Sequence, residues 1–169
     1  IRFTPSTGGV RTAVVSIASN DSDENPYTFT IQGTGSAPDI SVIGNGLEIT
    51  NGSTTPSLLN HSDFGNVNEA VGTRVRNFYI TNFGGENLNL TLPVTITGPN
   101  AADFTITTVP TTPVVSNNST TLSITFNPSA LGLREATVTI INDVIGKSPY
   151  IFAISGVGID FDECQLSGL

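Results

Sequence analysis

Cysteine occurs once in this chain, at Cys164, which leaves no internal disulfide framework and no cysteine-based zinc site. That thiol either stays unpaired in a C-terminal tail or meets a partner beyond Leu169. Lysine also occurs once, at Lys147, and six Lys and Arg stand against fourteen Asp and Glu, for a net charge of -8. Nucleic acid is thereby excluded as a partner, because its phosphates are gripped by clustered basic side chains. No apolar run approaches the roughly 20 residues that cross a bilayer as a helix, so no membrane insertion is expected. The opening residues lack the charged-then-apolar plan of a signal peptide. Any export is directed from outside these residues. Tryptophan and methionine are absent, and no segment shows a 3.6-residue apolar period, which excludes a helical protein.

What remains is rich in Thr, Ser, Asn, Gly, Val and Ile, with only 12% charged residues, the profile of short β-strands joined by polar turns. Period-2 alternation is clear at Ala13, Val15 and Ile17, at Phe29 and Ile31, at Phe78 and Ile80, and at Leu88, Leu90 and Leu92. It returns at Phe104 and Ile106, at Leu122, Ile124 and Phe126, at Ala136, Val138 and Ile140, and at Phe152 and Ile154. Each set puts apolar side chains on one face of a strand and polar ones on the other. The pattern predicts strands near 38–43, 46–50, 74–82, 87–97, 103–108, 120–126, 133–142 and 149–156, a spacing that suits an antiparallel β-sandwich. Asn45-Gly46, Asn51-Gly52, Gly84-Gly85, Gly98-Pro99 and Asn117-Asn118 supply the turn chemistry between them.

Residues 3–35 reappear without a gap 123 positions later as residues 126–158, with fourteen of 33 positions identical. Composition alone gives roughly two or three such matches at ~7% per position, so the segment is duplicated. The chain therefore reads as tandem repeats: residues 1–35 as the C-terminal part of one unit, 36–159 as a complete unit, and 160–169 as a tail or the start of a further region. A unit of this size buries about two-thirds of its unfolded surface, so it needs no cofactor for stability. Gly33 to Pro38 link the units, and the alternating Asp39-Ile40-Ser41-Val42 follows at once, which predicts abutting units with little relative swing. Residues 1–35 alone make a hairpin, with strands near 10–19 and 26–32, that exposes Phe3, Val15, Ile17, Phe29 and Ile31. Either the parent chain continues upstream, because Ile1 aligns with Ile124 in mid-strand, or the hairpin completes a sheet on another chain by strand addition.

With these residues laid out, the chain resembles the choice-of-anchor D type of bacterial surface repeat, an immunoglobulin-like sandwich related to the ASH and PapD-like β-folds. The resemblance rests on Asp63-Phe64-Gly65, Phe78-Tyr79-Ile80-Thr81-Asn82-Phe83-Gly84, Asp103-Phe104 and Phe126-Asn127-Pro128 with Gly132. Pro149-Tyr150 with Gly156 and Gly158 complete it. It implies an extracellular or bacterial cell-surface location, within large secreted proteins whose repeats act as spacers or adhesive stalks, often ahead of a C-terminal sorting region for type IX secretion. The tail Ile159 to Cys164 departs from the Ser36-Ala37-Pro38-Asp39-Ile40 that follows the first copy, so another repeat is not expected directly after it.

Candidate sites are few. Asp21, Asp23 and Glu24 cluster in a hairpin loop with alternating oxygen ligands, a weak calcium candidate. The equivalent loop of the second copy, Asp143 to Ser148, keeps one carboxylate and carries Lys147, so a metal site general to the fold is not encoded. His61 lies near Asp63, Ser57 and Ser62, but a hydrolytic triad needs three groups converging from fixed elements, and surface histidine is the better reading. Phe64 is expected to anchor its loop by burial and Asp63 by capping free backbone N–H groups. Sugar-stacking platforms are scarce, since Tyr27 and Tyr150 are repeat equivalents with a structural part and only Tyr79 is left to face solvent. Asn-x-Ser/Thr triplets at Asn20, Asn51, Asn60, Asn89, Asn117 and Asn118 are expected from composition.

The reading that follows is a non-enzymatic structural repeat with no catalytic residue and no cofactor, whose partners are the neighbouring repeats of its own chain. A filament subunit that pairs with other copies, and a binding module or adhesin for a carbohydrate or protein surface ligand, are the alternatives.

Overall fold

Alternating apolar side chains can be buried on one face of a strand only if a second face covers them, and residues 40–159 solve this with two sheets. The computed structural model describes residues 1–5 and 8–160. Its strands are β1 (Gly9–Ile17), β2 (Tyr27–Gly35), β3 (Ile40–Gly44), β4 (Leu47–Ile49), β5 (Asp63–Asn68) and β6 (Arg74–Asn82). They continue with β7 (Leu90–Thr97), β8 (Phe104–Thr108), β9 (Ser119–Phe126), β10 (Gly132–Asn142) and β11 (Tyr150–Ile159). A 3-10 turn at Ala101–Asp103 is the one helical element among the described residues, and no helix there is long and apolar enough to cross a membrane. Cys164 and most of the expected tail 160–169 lie outside the described residues.

One sheet has the order β4-β3-β6-β9-β8, the other β5-β11-β10-β7, and β1 pairs with β2 in a separate ladder. The two larger sheets face each other as an immunoglobulin-like sandwich. All ten residues that the alternation puts deepest, among them Phe78, Ile80, Leu122, Ile124, Val138, Ile140, Phe152 and Ile154, lie in the buried core together with Leu90 and Phe104. Phe64 stands at the centre of a ring cluster, 5.5 Å from Phe104, 5.8 Å from Phe126 and 6.4 Å from Phe78 between centroids. Phe104 and Phe126 stack at 4.8 Å.

Three sequence expectations need correction. The sandwich is not wholly antiparallel, because β5 runs parallel to β11 along one edge. The chain reaches that edge by crossing from β4 in the opposite sheet, and a crossing strand can arrive in either direction. Asp63 to Gly65 are accordingly the start of a strand and not a loop. Leu92 is exposed although Leu88 and Leu90 are buried. The ladder between β10 and β7 slips between Thr139 and Ile141, opposite residues 92–94, so Leu92 falls in the unpaired stretch and turns out while Leu90 and Val94 on either side stay inward.

The buried Asn82 and Asp103 of the sandwich are both paired. Asn82 is fully buried; its Oδ1 accepts from the N–H groups of Asp39 and Gly84, and its Nδ2 donates to the carbonyls of Glu86 and Val114 at 2.7 and 2.9 Å. Asp103 is also buried and accepts from Arg134 Nε at 2.5 Å. Burial raises the pKa of Asp103, but hydrogen bonds from Arg134 and Ser129 outweigh it and hold the carboxyl below its ordinary value.

Two predictions follow from this packing. Val138→Asp places an unpaired charge in the core at a cost of several kcal/mol, on the scale of the whole stability of a domain, and abolishes the cooperative melt. The equivalent Val15→Asp, on the half-exposed hairpin, shifts that melt by less than about 1 kcal/mol. Calorimetry of both variants checks the contrast. Because the folded pKa of Asp103 is depressed, its contribution is present above the ordinary aspartate range and lost as pH falls below about 4. Denaturant titrations against pH are expected to show a shallower acid-side loss in Asp103→Asn.

Candidate functional site

The β1–β2 hairpin carries the chain's most distinctive surface. Its nine residue pairs run from Gly9 opposite Gly35 to Ile17 opposite Tyr27. The nine pairs of β10–β11 run from Gly132 opposite Gly158 to Ile140 opposite Tyr150, the same register shifted by the repeat offset. Gly9 and Gly132, which open the two hairpins, have φ of 95° and 93°, a conformation that favours glycine. Phe3 lies flat against Gly33 as Phe126 lies against Gly156, and a Cβ at either glycine would collide with the ring.

Seven inward side chains of the second copy, Phe126 at the end of β9 and Ala136, Val138, Ile140, Tyr150, Phe152 and Ile154 on β10–β11, are all buried. The first copy repeats all seven without substitution as Phe3, Ala13, Val15, Ile17, Tyr27, Phe29 and Ile31. There the face is open: Phe3 is 51% exposed, Ile17 50%, Tyr27 52% and Phe29 40%. Tyr150 shows what covering does, since its hydroxyl donates to the Ile49 carbonyl at 2.6 Å and burial pushes its phenol above the ordinary range. At one end of the open face a cavity of about 330 Å³ is lined by Ile1, Phe3, Arg11, Ala13, Ile31 and Gly33.

The hairpin is joined to the sandwich by a held segment. The N–H groups of Gly85 and Glu86 donate to the Ala37 carbonyl, Phe83 N–H donates to the Asp39 carbonyl, and Lys147 Nζ bonds Asp39 Oδ1 at 2.6 Å and the Ile40 carbonyl at 3.2 Å. Gly84 and Gly85 are required here, because a Cβ on either would strike the linker at Ala37 or Ser36. The short linker expected from the sequence is thus clamped onto the loop after β6.

A second recess, of about 260 Å³, lies between Asn45, His61, Val75, Arg76, Asn77 and Tyr79. Asn77 is oriented by Ser123, whose hydroxyl donates to its Oδ1 at 2.9 Å. Arg76 Nε is buried there without a hydrogen-bond partner. Burial and then Arg76 hold the His61 imidazole below its ordinary pKa. Tyr79 is exposed, as its strand phase predicts.

The hydrolytic grouping around His61 is not assembled. Ser62 Oγ donates to Asn60 Oδ1 and accepts from Ser57 N–H, while Ser57 Oγ accepts from Leu59 N–H, so both hydroxyls serve their own loop. Asp63 Oδ1 caps Gly65 N–H at 2.8 Å, the local role its sequence context suggests. In the acidic loop, Asp21 Oδ1 accepts from Asp23 N–H at 3.4 Å, and hydrogen bonding from Asp23 holds the Asp21 carboxyl below its ordinary value. Glu24 contributes its backbone carbonyl to Ser19 Oγ. Among the described residues no group of three or more His, Cys, Asp and Glu is placed to hold a metal ion, so Asp21, Asp23 and Glu24 do not converge.

Sequence reasoning missed the pairing of Arg134 with Asp103 and the clamp by Lys147, whereas Phe64 is buried as expected. Arg11 and Arg134 did carry a signal, being identical across the copies and in phase with the inward Ala136, Val138 and Ile140, a charge on an otherwise apolar face. Lys147 carried none, because its equivalent is Glu24.

No family model matches the chain, and no curated protein matches it. Among solved structures, a protein of unknown function from Porphyromonas gingivalis W83 superposes with a TM-score of 0.52 at 16% identity, covering 91% of this chain and 68% of that one. An ASH / PapD-like domain of human CEP192, PapD-like domain 7, superposes at 0.42 with 16% identity, over 73% of this chain and 87% of that one. At this identity the first likeness speaks to the fold alone.

Proposed function

We propose that this chain is a non-enzymatic structural repeat, a spacer or stalk unit, of a large bacterial protein that is secreted or held at the cell surface. Residues 36–159 are one unit and residues 1–35 are the last two strands of the unit before it. The observation that carries the reading is the duplicated segment, in which seven inward side chains and nine ladder pairs recur at one offset. Only packing against the same kind of opposite sheet demands that much agreement. The outward positions, free of that demand, have diverged.

The mechanism is mechanical. Each unit closes its own core, and the clamp on Ala37 and Asp39 lets one unit transmit orientation to the next instead of swinging freely. A β-rich, acidic surface with few lysines keeps such an array from associating along its length. The partners are therefore neighbouring repeats of the same polypeptide, and no metal is needed.

If the unit is autonomous, residues 36–159 expressed alone melt cooperatively within about 2 °C of the main transition of the 169-residue chain, a shift worth well under 1 kcal/mol. Loss of the cooperative melt on removing residues 1–35 would show that the hairpin belongs to this unit and overturn the repeat reading. Millimolar calcium and chelator are expected to leave the melting temperature unchanged. A rise of several degrees with calcium, as mass action requires for a ligand of the native state, would restore Asp21, Asp23 and Glu24 as a site.

A further inference from the structure

The covered hairpin specifies what is missing from the open one. Phe126, at the end of β9, is met by the ring of Phe64 and, across the β8–β9 ladder, by that of Phe104, and directly before Phe104 the Asp103 carboxylate takes Arg134 of β10. One dipeptide, Asp103-Phe104, thus supplies both a ring to Phe126 and a charge to Arg134. In the first hairpin, Phe3 and Arg11 stand in the places of Phe126 and Arg134, and both border the cavity of about 330 Å³. Arg11 forms no ion pair among the described residues.

We infer that this cavity receives an Asp-Phe pair, with the Phe ring on Phe3 and the Asp carboxylate on Arg11. The pair is carried by an open β-body built like residues 40–123, upstream in the same polypeptide. The inference rests on the repeat reading above and adds the partner's chemistry to it. The edges of the hairpin fix the rest of the contact: β1 takes an antiparallel strand, as β10 takes β7, and β2 takes a parallel one, as β11 takes β5. The Tyr27 hydroxyl requires a backbone carbonyl, as Tyr150 finds at Ile49. Covalent continuity favours the same polypeptide, because Ile1 and Phe3 occupy the places of Ile124 and Phe126 at the end of β9, a strand of the body itself. A second copy of this chain is a poor occupant. Its Asp103-Phe104 is already engaged by its own tethered hairpin, and its Asp39, which meets Lys147, would face Glu24.

The test joins residues 36–123 directly ahead of Ile1, which puts a transplanted Asp103-Phe104 where the upstream pair belongs. In the 169-residue chain, limited proteolysis is expected to remove residues 1–35 quickly from a monomer. In the fusion those residues resist, and light scattering still shows a monomer. Phe104→Ala in the transplanted body alone is expected to restore cutting by about tenfold, since cleavage follows the population of the open form. Asp103→Arg there does the same, and Arg11→Asp on the hairpin reverses it. A second fusion with Asp39→Lys in the transplanted body gives Glu24 an opposite charge and is expected to melt higher than the first. If neither fusion protects the hairpin, or if protection is indifferent to Phe104→Ala and Asp103→Arg, the inference is overturned. Protection of the 169-residue chain by concentration-dependent dimers, lost in Phe29→Asp, assigns the face to a second copy and also overturns it. None of these outcomes alters the separate melting of residues 36–159, which bears on the repeat reading.

Discussion

An apolar hairpin face has to be covered, and in this molecule that constraint governs nearly everything else. The β10–β11 hairpin presents Ala136, Val138, Ile140, Tyr150, Phe152 and Ile154 inward, and burying large aliphatic and aromatic groups contributes on the order of 2 kcal/mol each before the entropy of ordering is subtracted. The opposing sheet exists to receive them. Phe64 is brought in from the edge strand β5 to fill the space between Phe78, Phe104 and Phe126. Asp103 and Arg134 close the end of that space, a pair that holds because each partner finds a counter-charge where water is largely excluded.

The same constraint makes the first hairpin informative. Identical inward residues stand in an identical register with the opposite burial, which is the observation behind the unit and partner we propose. Outward positions show what happens without the constraint: Thr12 stands for Glu135, Val14 for Thr137 and Glu24 for Lys147. The function we propose, spacing and connection, draws on the closed core of the sandwich and on the short segment clamped at Ala37 and Asp39.

Particular residues show how far the sequence could be read. Phe78, Ile80, Leu122, Ile124, Val138 and Ile140 declare their burial because strand periodicity is a local property of the backbone, two residues per repeat whatever lies opposite. Leu92 misleads for the same reason: it obeys the alternation, but the slip opposite Thr139 and Ile141 is a relation between two strands that neither encodes alone. Strand β5 was hidden because Asp63-Phe64-Gly65-Asn66 is short and polar, and its strand character comes from the edge of β11 that it meets. Among the candidate sites, the acidic loop and the serines near His61 were legible as residue types, whereas their failure to converge is a matter of geometry.

Taken by itself, the sequence determined that the chain is all-β, that one hairpin is duplicated at an offset of 123 residues, and, Leu92 apart, which side chains of the alternating runs in residues 78–154 point inward. These follow from composition, self-similarity and a period of two, all of which are written along the chain. Only the tertiary structure decided that β5 lies parallel to β11, that Asp103 belongs to Arg134 and Asp39 to Lys147, and that the first hairpin's apolar face stands open beside Phe3 and Arg11. Those are contacts between residues up to 108 positions apart. Their energies depend on distance in space, and no pattern along a single chain records that distance.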